Sequence, residues 1–167
     1  MVDASVHLID RGRVHADRGF VVDDPDEDVA ECVVWGAVVD HPDCTVLWDT
    51  GSHPEAGDGY WPEPLYAVFQ HVDAADHDLE SDLDEAGFGL DDIDAVVTSH
   101  LHLDHAGGLE AFAGTDVPVY VHEEEVKFAD YSAKTTEGSM AYLASDFDHD
   151  LAWEGVHRDR PALATDS

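Results

Sequence analysis

The chain has 167 residues, enough for one hydrophobic core, and carries 39 acidic residues against 7 basic ones, a formal charge of −32 at pH 7. A field of that sign repels phosphate backbones and anionic bilayers, which excludes nucleic acid and membrane surfaces as partners held by general electrostatics. Yet 44% of the residues are hydrophobic and four are Trp, so residues 1–167 are expected to fold as a single domain rather than stay disordered.

The acids run through the whole length instead of gathering in a tail, and only Lys127 and Lys134 are lysines. That balance resembles the proteins of salt-accumulating halophiles, whose carboxylates stop repelling one another when molar salt shrinks the Debye length to about 3 Å. No run of 18 apolar residues occurs, and the N-terminal stretch lacks the continuous apolar segment of a secretory signal. A cytoplasmic location is the expectation.

Taken in chain order, residues 31–40 and 44–50 read as a hairpin about a turn at His41-Pro42-Asp43. Pairing Val39 with Cys44 across that turn sends Cys32 roughly 20 Å away, at about 3.3 Å per residue, too far for a disulfide. The two cysteines also lack the close spacing of a zinc site. Gly51 to Pro64 is dense in Gly and Pro and reads as a loop. Within it, Tyr60 and Trp61 either face a substrate or anchor the loop to the body. Asp76 is placed to cap a helix with Leu79, Leu83 and Ala86 on one face, stopping at Gly87. A turn over Leu90-Asp91-Asp92 leads to a buried strand at Ala95-Val96-Val97-Thr98. Gly107-Gly108 opens a short helix over Leu109 to Phe112, followed by a strand at Val117 to Val121 and a helix from Glu123 to Ala129. In that last region Tyr120 and His122 read as core and strand-end residues, and Glu123-Glu124-Glu125 as a helix start with a solvated face. Strands alternating with helices make the chain α/β. The periodicity weakens from Tyr131 onward.

The stretch that carries chemistry follows the strand at Ala95: His100-Leu101-His102-Leu103-Asp104-His105. Three imidazoles and a carboxylate within six residues are donors suited to zinc and other first-row divalent ions. Alternation lets His100 and His102 share one ion while Asp104 and His105 turn toward a second, with Leu101 and Leu103 facing the apolar side. Two neighbouring ions can hold a bridging hydroxide and polarise the carbonyl it attacks, giving hydrolysis without a Ser or Cys nucleophile.

The segment Ser99-His100-Leu101-His102-Leu103-Asp104-His105-Ala106-Gly107-Gly108, together with Val46-Leu47-Trp48-Asp49-Thr50-Gly51 upstream, resembles the metallo-β-lactamase superfamily. Val34 to Val39 and Leu90 to Asp94 are most similar to its N-acyl-homoserine lactone lactonase branch. The resemblance implies an αβ/βα sandwich and a metal-dependent hydrolase opening lactones or other esters. It assigns His100, His102, Asp104 and His105 to two zinc or other divalent ions, with Asp104 also orienting the hydroxide and Asp49 supporting the metal loop. A runner-up is a thioester hydrolase resembling glyoxalase II. Family members take further ligands from a second half, including a TPGH-like segment, and no segment after His105 reads as such. The chain is therefore expected to be the N-terminal half of the sandwich with an incomplete site, and a non-catalytic chain is the third reading. His149 and His157 stay open as substitute ligands.

If the acidic surface needs salt, circular dichroism over a potassium chloride series will show a folded chain at molar salt. The signal will collapse as the Debye length approaches about 10 Å near 0.1 M. Full structure in dilute buffer contradicts the halophile reading.

Overall fold

The structure, a computed structural model, describes residues 3–17, 19 and 29–157. Seven strands form one mixed sheet: β1 (Ser5–Asp17), β2 (Val29–His41), β3 (Cys44–Trp48), β4 (Phe69–His71), β5 (Ala95–Val97), β6 (Pro118–His122) and β7 (Ala152–Val156), in the order β4-β1-β2-β3-β5-β6-β7. The first four strands of that order pair antiparallel, and β3, β5, β6 and β7 run parallel. Helices α1 (Glu63–Tyr66), α2 (Leu79–Glu85), α3 (Glu123–Lys134) and α4 (Ala144–Phe147) fill the connections. This is the α/β class read from the sequence. Of the expected sandwich, the described residues supply one sheet with its helices.

The core lies on one face of that sheet. Ile9, Val38, Leu47, Val96 and Val119 point from it toward Leu83 of α2 and Ala129 of α3, all at most 3% exposed. A second cluster gathers Trp61, Leu65, Ala74 and Leu103, so the Gly/Pro loop is anchored by Trp61 at 1% exposure. Side chains of the opposite parity, Val6, Leu8, Val33, Trp35 and Trp48, are 40–72% exposed.

Several local expectations are corrected. The hairpin forms, but its turn is Pro42-Asp43 alone, and Cys44 pairs with His41 instead of Val39. Cys32 then sits about 30 Å along the ribbon and both cysteines are free. Asp78, not Asp76, caps α2: its extended backbone sits just before Leu79 and its carboxylate accepts the Ser81 N–H at 2.9 Å. The Gly51–Pro64 stretch is not wholly irregular, since Ala56–Asp58 forms a 3-10 turn and α1 begins at Glu63 with a proline in its first turn. Helix α3 runs past Ala129 to Lys134 because Lys127 bridges Glu123 at 2.6 Å and Glu124 at 2.9 Å, and Lys134 bridges Asp130. Strand β1 escaped the sequence reading: it is rich in His, Arg and Asp, which mask a period of two.

A bulge in β1 sets two residues, Arg11 and Gly12, against Val34 alone. It turns Arg11 inward, 1% exposed, where the guanidinium donates to Asp82 of α2, to the Thr50 carbonyl at 3.1 Å and to the Ser52 carbonyl at 3.3 Å. His77 Nδ1 lies 3.3 Å from the same carboxylate. Removing one partner of a buried pair leaves the other desolvated and unpaired. Arg11→Leu is expected to cost about 3–5 kcal/mol in urea unfolding at molar salt. Arg13→Leu, which loses a surface pair with Asp10 and a hydrogen bond to the neighbouring Gly12 carbonyl, is expected to cost about 1 kcal/mol or less.

Candidate metal centre

Two strand ends build the site. After β3 the chain turns at Asp49, whose φ of 56° is the left-handed conformation that non-glycine residues rarely adopt, and Gly51 follows at φ 72°. A Cβ on Gly51 would strike the Arg11 side chain, so Gly at this position lets the buried guanidinium pass. After β5 the chain enters the histidine loop. The two segments zip together: Thr50 N and Oγ1 both donate to the His105 carbonyl at 2.9 Å, and Gly107 N donates to the Gly51 carbonyl at 2.8 Å. Gly107 packs so closely that a Cβ there would collide with the Ser52-His53 backbone.

The Asp49 carboxylate, 4% exposed, is the hub of this junction. It accepts Ser99 N at 2.7 Å and Ser99 Oγ at 2.7 Å, and its Oδ2 lies 2.8 Å from His105 Nδ1. With Nδ1 so engaged, His105 presents Nε2 toward Asp104 Oδ2, 3.5 Å away. The rings of His100 and His102 lie 4.5 Å apart and those of His100 and His105 4.0 Å apart. The four residues read as ligands are thus brought together, with Asp49 beneath them. Leu101 and Leu103 turn into the core at 0% and 1% exposure, as alternation requires.

Two partners of this loop were invisible in the sequence. Glu125 Oε1 accepts the Leu101 N–H at 2.9 Å and the Tyr142 hydroxyl at 2.9 Å, while the Tyr142 ring meets the His102 ring edge-on at 4.6 Å. Glu125 is therefore not part of a solvated face. A run of three glutamates carries no sign of which one turns inward. Tyr142 lies where the periodicity had faded. Around the Gly/Pro loop, Tyr60 stacks on His53 at 3.7 Å and donates to the Asp146 carboxylate at 2.8 Å, which makes it an anchor. His122 caps α3 by accepting the Glu124 N–H, and His157 pairs with Glu123 at 2.7 Å.

Burial, and then the neighbouring His105, hold His100 below its ordinary pKa, and burial with His100 does the same to His102. Both rings are neutral at pH 7, with lone pairs available to a cation. Burial also pulls on His105, but the Asp49 hydrogen bond and the charges of Asp104 and Asp49 outweigh it and raise its pKa. Burial first, with Asp104 adding to it, pushes the Asp146 carboxyl up to about 7 against the opposing Tyr60 hydrogen bond.

Donor chemistry fits a divalent ion. Two donors each about 2.1 Å from a shared tetrahedral ion stand about 3.4 Å apart, close to the Asp104–His105 separation. Donor number does not: among the described residues, no group of three or more His, Cys, Asp or Glu stands in an arrangement that holds a metal ion.

The family model described as the metallo-beta-lactamase superfamily matches residues 29–162. The N-acyl homoserine lactonase AiiB of Agrobacterium fabrum is 30% identical over 168 residues, covering 91% of this chain and 60% of that protein. Among solved structures, B. thuringiensis AiiA with N-decanoyl-L-homoserine bound at its active site superposes with a TM-score of 0.75 at 23% identity, covering 93% of this chain and 60% of the other. An N-acyl homoserine lactone hydrolase with its product at a catalytic metal center gives the same values. The chain thus spans about 60% of the length of the curated relatives it matches.

Replacing Asp49 tests the junction. A histidine held above its ordinary value of 6.5 contributes stability that is complete below that pH and is lost as pH rises through the folded-state pKa. In Asp49→Asn the His105 ring titration followed by NMR on the metal-free protein is expected to move down, and this pH dependence to flatten. The loss of a charged, buried hydrogen-bond acceptor should cost about 1.5–3 kcal/mol.

Proposed function

This chain belongs to the metallo-β-lactamase superfamily, and on that premise we propose that it carries the metal-binding half of a lactonase-like hydrolase acting on small lactones or related esters. The observation that carries the proposal is the convergence of His100, His102, Asp104 and His105 over the Asp49 hub. The ion we assign is zinc, the metal that imidazole and carboxylate donors favour, and two ions suit the alternation of the loop. A divalent ion bound there supplies Lewis-acid polarisation of the substrate carbonyl and activation of water at neutral pH.

The residues of the chain prepare that chemistry. His100 and His102 are kept neutral by burial, so binding a cation displaces no proton from them. Asp49 fixes His105 through Nδ1 and leaves Nε2 for the ion, the outer support that metal-bound histidines generally require. Asp104, beside Nε2, is the second donor on that side and the carboxylate placed to orient attacking water. Glu125 and Tyr142 hold the loop backbone and the His102 ring. We assign the remaining donors to groups outside this set, in keeping with the relatives' greater length. The acidic surface belongs in a cytoplasm of high salt.

Zinc competition against a chelating dye is expected to show binding that is lost in His102→Ala and weaker than at a closed dinuclear site. Each missing supporting partner there is worth about 10–100-fold in affinity. Ring opening of an N-acyl homoserine lactone by the chain alone is expected to stay near background. Absence of zinc binding, or two tight equivalents with robust turnover, overturns the half-site reading. Turnover of a thioester in preference to the lactone moves the assignment to the glyoxalase II-like alternative.

A further inference from the structure

We infer that Arg11 is a positioning residue for the metal centre, and that the polar cluster of His71, Asp73 and His77 holds the β1 bulge that aims it. A bulge interrupts the ladder hydrogen bonds and re-aims a side chain. This one is clamped by the end of β4 and the turn after it. Val72 N donates to the Arg13 carbonyl at 3.0 Å, and Asp73 Oδ1 accepts the Arg13 N–H at 2.7 Å. Gly12 stands in the left-handed region at φ 93°. A Cβ there would lie 2.4 Å from His71 Nε2, 2.5 Å from Asp73 Oδ1 and 2.8 Å from the His77 ring, so the cluster closes on bare backbone. His71 Nε2 lies 3.2 Å from Asp73, and His77 stands between two carboxylates, with Nε2 3.8 Å from Asp73 and Nδ1 3.3 Å from Asp82. The cluster thus grips the bulge backbone on one side and the acid that pairs with Arg11 on the other.

From Arg11 the ligand loop is two hydrogen bonds away. The guanidinium donates to the Thr50 and Ser52 carbonyls, while Thr50 N and Oγ1 donate to the His105 carbonyl and the Gly51 carbonyl accepts Gly107 N. Residues 50–52 therefore carry Arg11 on one side and the ligand loop on the other, directly after Asp49. Charge and position are separable here. A lysine can answer the Asp82 carboxylate, but only the rigid fork of a guanidinium reaches two carbonyls and a carboxylate at once. Partners that hold the ligands of a metal from outside are each worth about 10–100-fold in affinity, and Arg11 acts one segment further out, at the lower end of that range. This inference rests on the half-site reading for the metal, but the junction that Arg11 holds exists in the metal-free chain.

Arg11→Lys in molar potassium chloride is expected to bind zinc about 10-fold more weakly than wild type in dye competition. Amide exchange followed by NMR on the metal-free protein is expected to be faster at Thr50 and Gly107. Gly12→Ala removes no donor or acceptor but displaces the bulge, and is expected to give the same two changes. Leu151→Ala, which opens a cavity in the core, is the control for lost stability: it should leave zinc affinity unchanged and the Thr50 and Gly107 amides slower than in the two variants. If both variants fail to fold, the wild type decides. Coupling is reciprocal, so zinc must slow exchange of the Arg11 Nε–H. Unchanged zinc affinity in the variants, junction amides no faster than in the control, or an Arg11 signal indifferent to bound zinc overturns the inference and leaves the half-site reading standing. A wild type that binds no zinc overturns the half-site reading instead, and the metal-free exchange rates still decide whether Arg11 holds the junction.

Discussion

Asp49 sits where three demands meet. Its carboxylate must reach the Ser99 amide and hydroxyl to join the end of β3 to the end of β5, and it must reach the His105 ring to orient the loop. The left-handed backbone at φ 56° is what aims the side chain across that gap. Such a conformation costs on the order of 1 kcal/mol or more and persists only where its surroundings over-determine it. Here the Thr50 and Gly107 hydrogen bonds on either side do so. The histidines of the loop are brought together because two strands that are neighbours in the sheet, with ends Trp48 and Val97 49 residues apart in sequence, end side by side over one carboxylate.

Behind this junction lies a second polar knot. Arg11 grips the carbonyls of Thr50 and Ser52 from the core side, so the segment carrying Asp49 is held by the loop above and a guanidinium below. Asp82 balances the buried cation, and His77 braces Asp82. The bulge that turns Arg11 inward is thus coupled, through one backbone segment, to the geometry of the histidines. Strand β1 supplies no ligand but sets where the ligands stand.

How much of this could be read from the sequence follows from the range of the interactions. The spacing of His100 to His105 after a β-branched strand is local, and the loop was legible at once, as was Asp49 through its strand-end context. The hairpin register missed by two residues because the observed pairing encloses two residues and the expected one four, and a shift of two keeps every side chain on its face and leaves the same hydrophobic pattern. The cap of α2 shifted from Asp76 to Asp78 because an aspartate two residues off satisfies the same local rule, and only the backbone angles choose between them. Glu125, Tyr142 and Arg11 were illegible for a different reason. Each acts on residues 17 or more positions away, and nothing in its own neighbourhood sets it apart from the other acids, aromatics and arginines.

Both lysines of the chain lie on α3, seven residues or about two turns apart, and each is paired with a neighbouring acid. Because α3 packs on the helical side of the sheet, side-chain amines are confined to one flank of the molecule. Coupling through lysine to a resin, a dye or a sensor chip therefore presents the protein in nearly one orientation. The helix is turned to the support, and the opposite sheet face and its tryptophans are turned to solution.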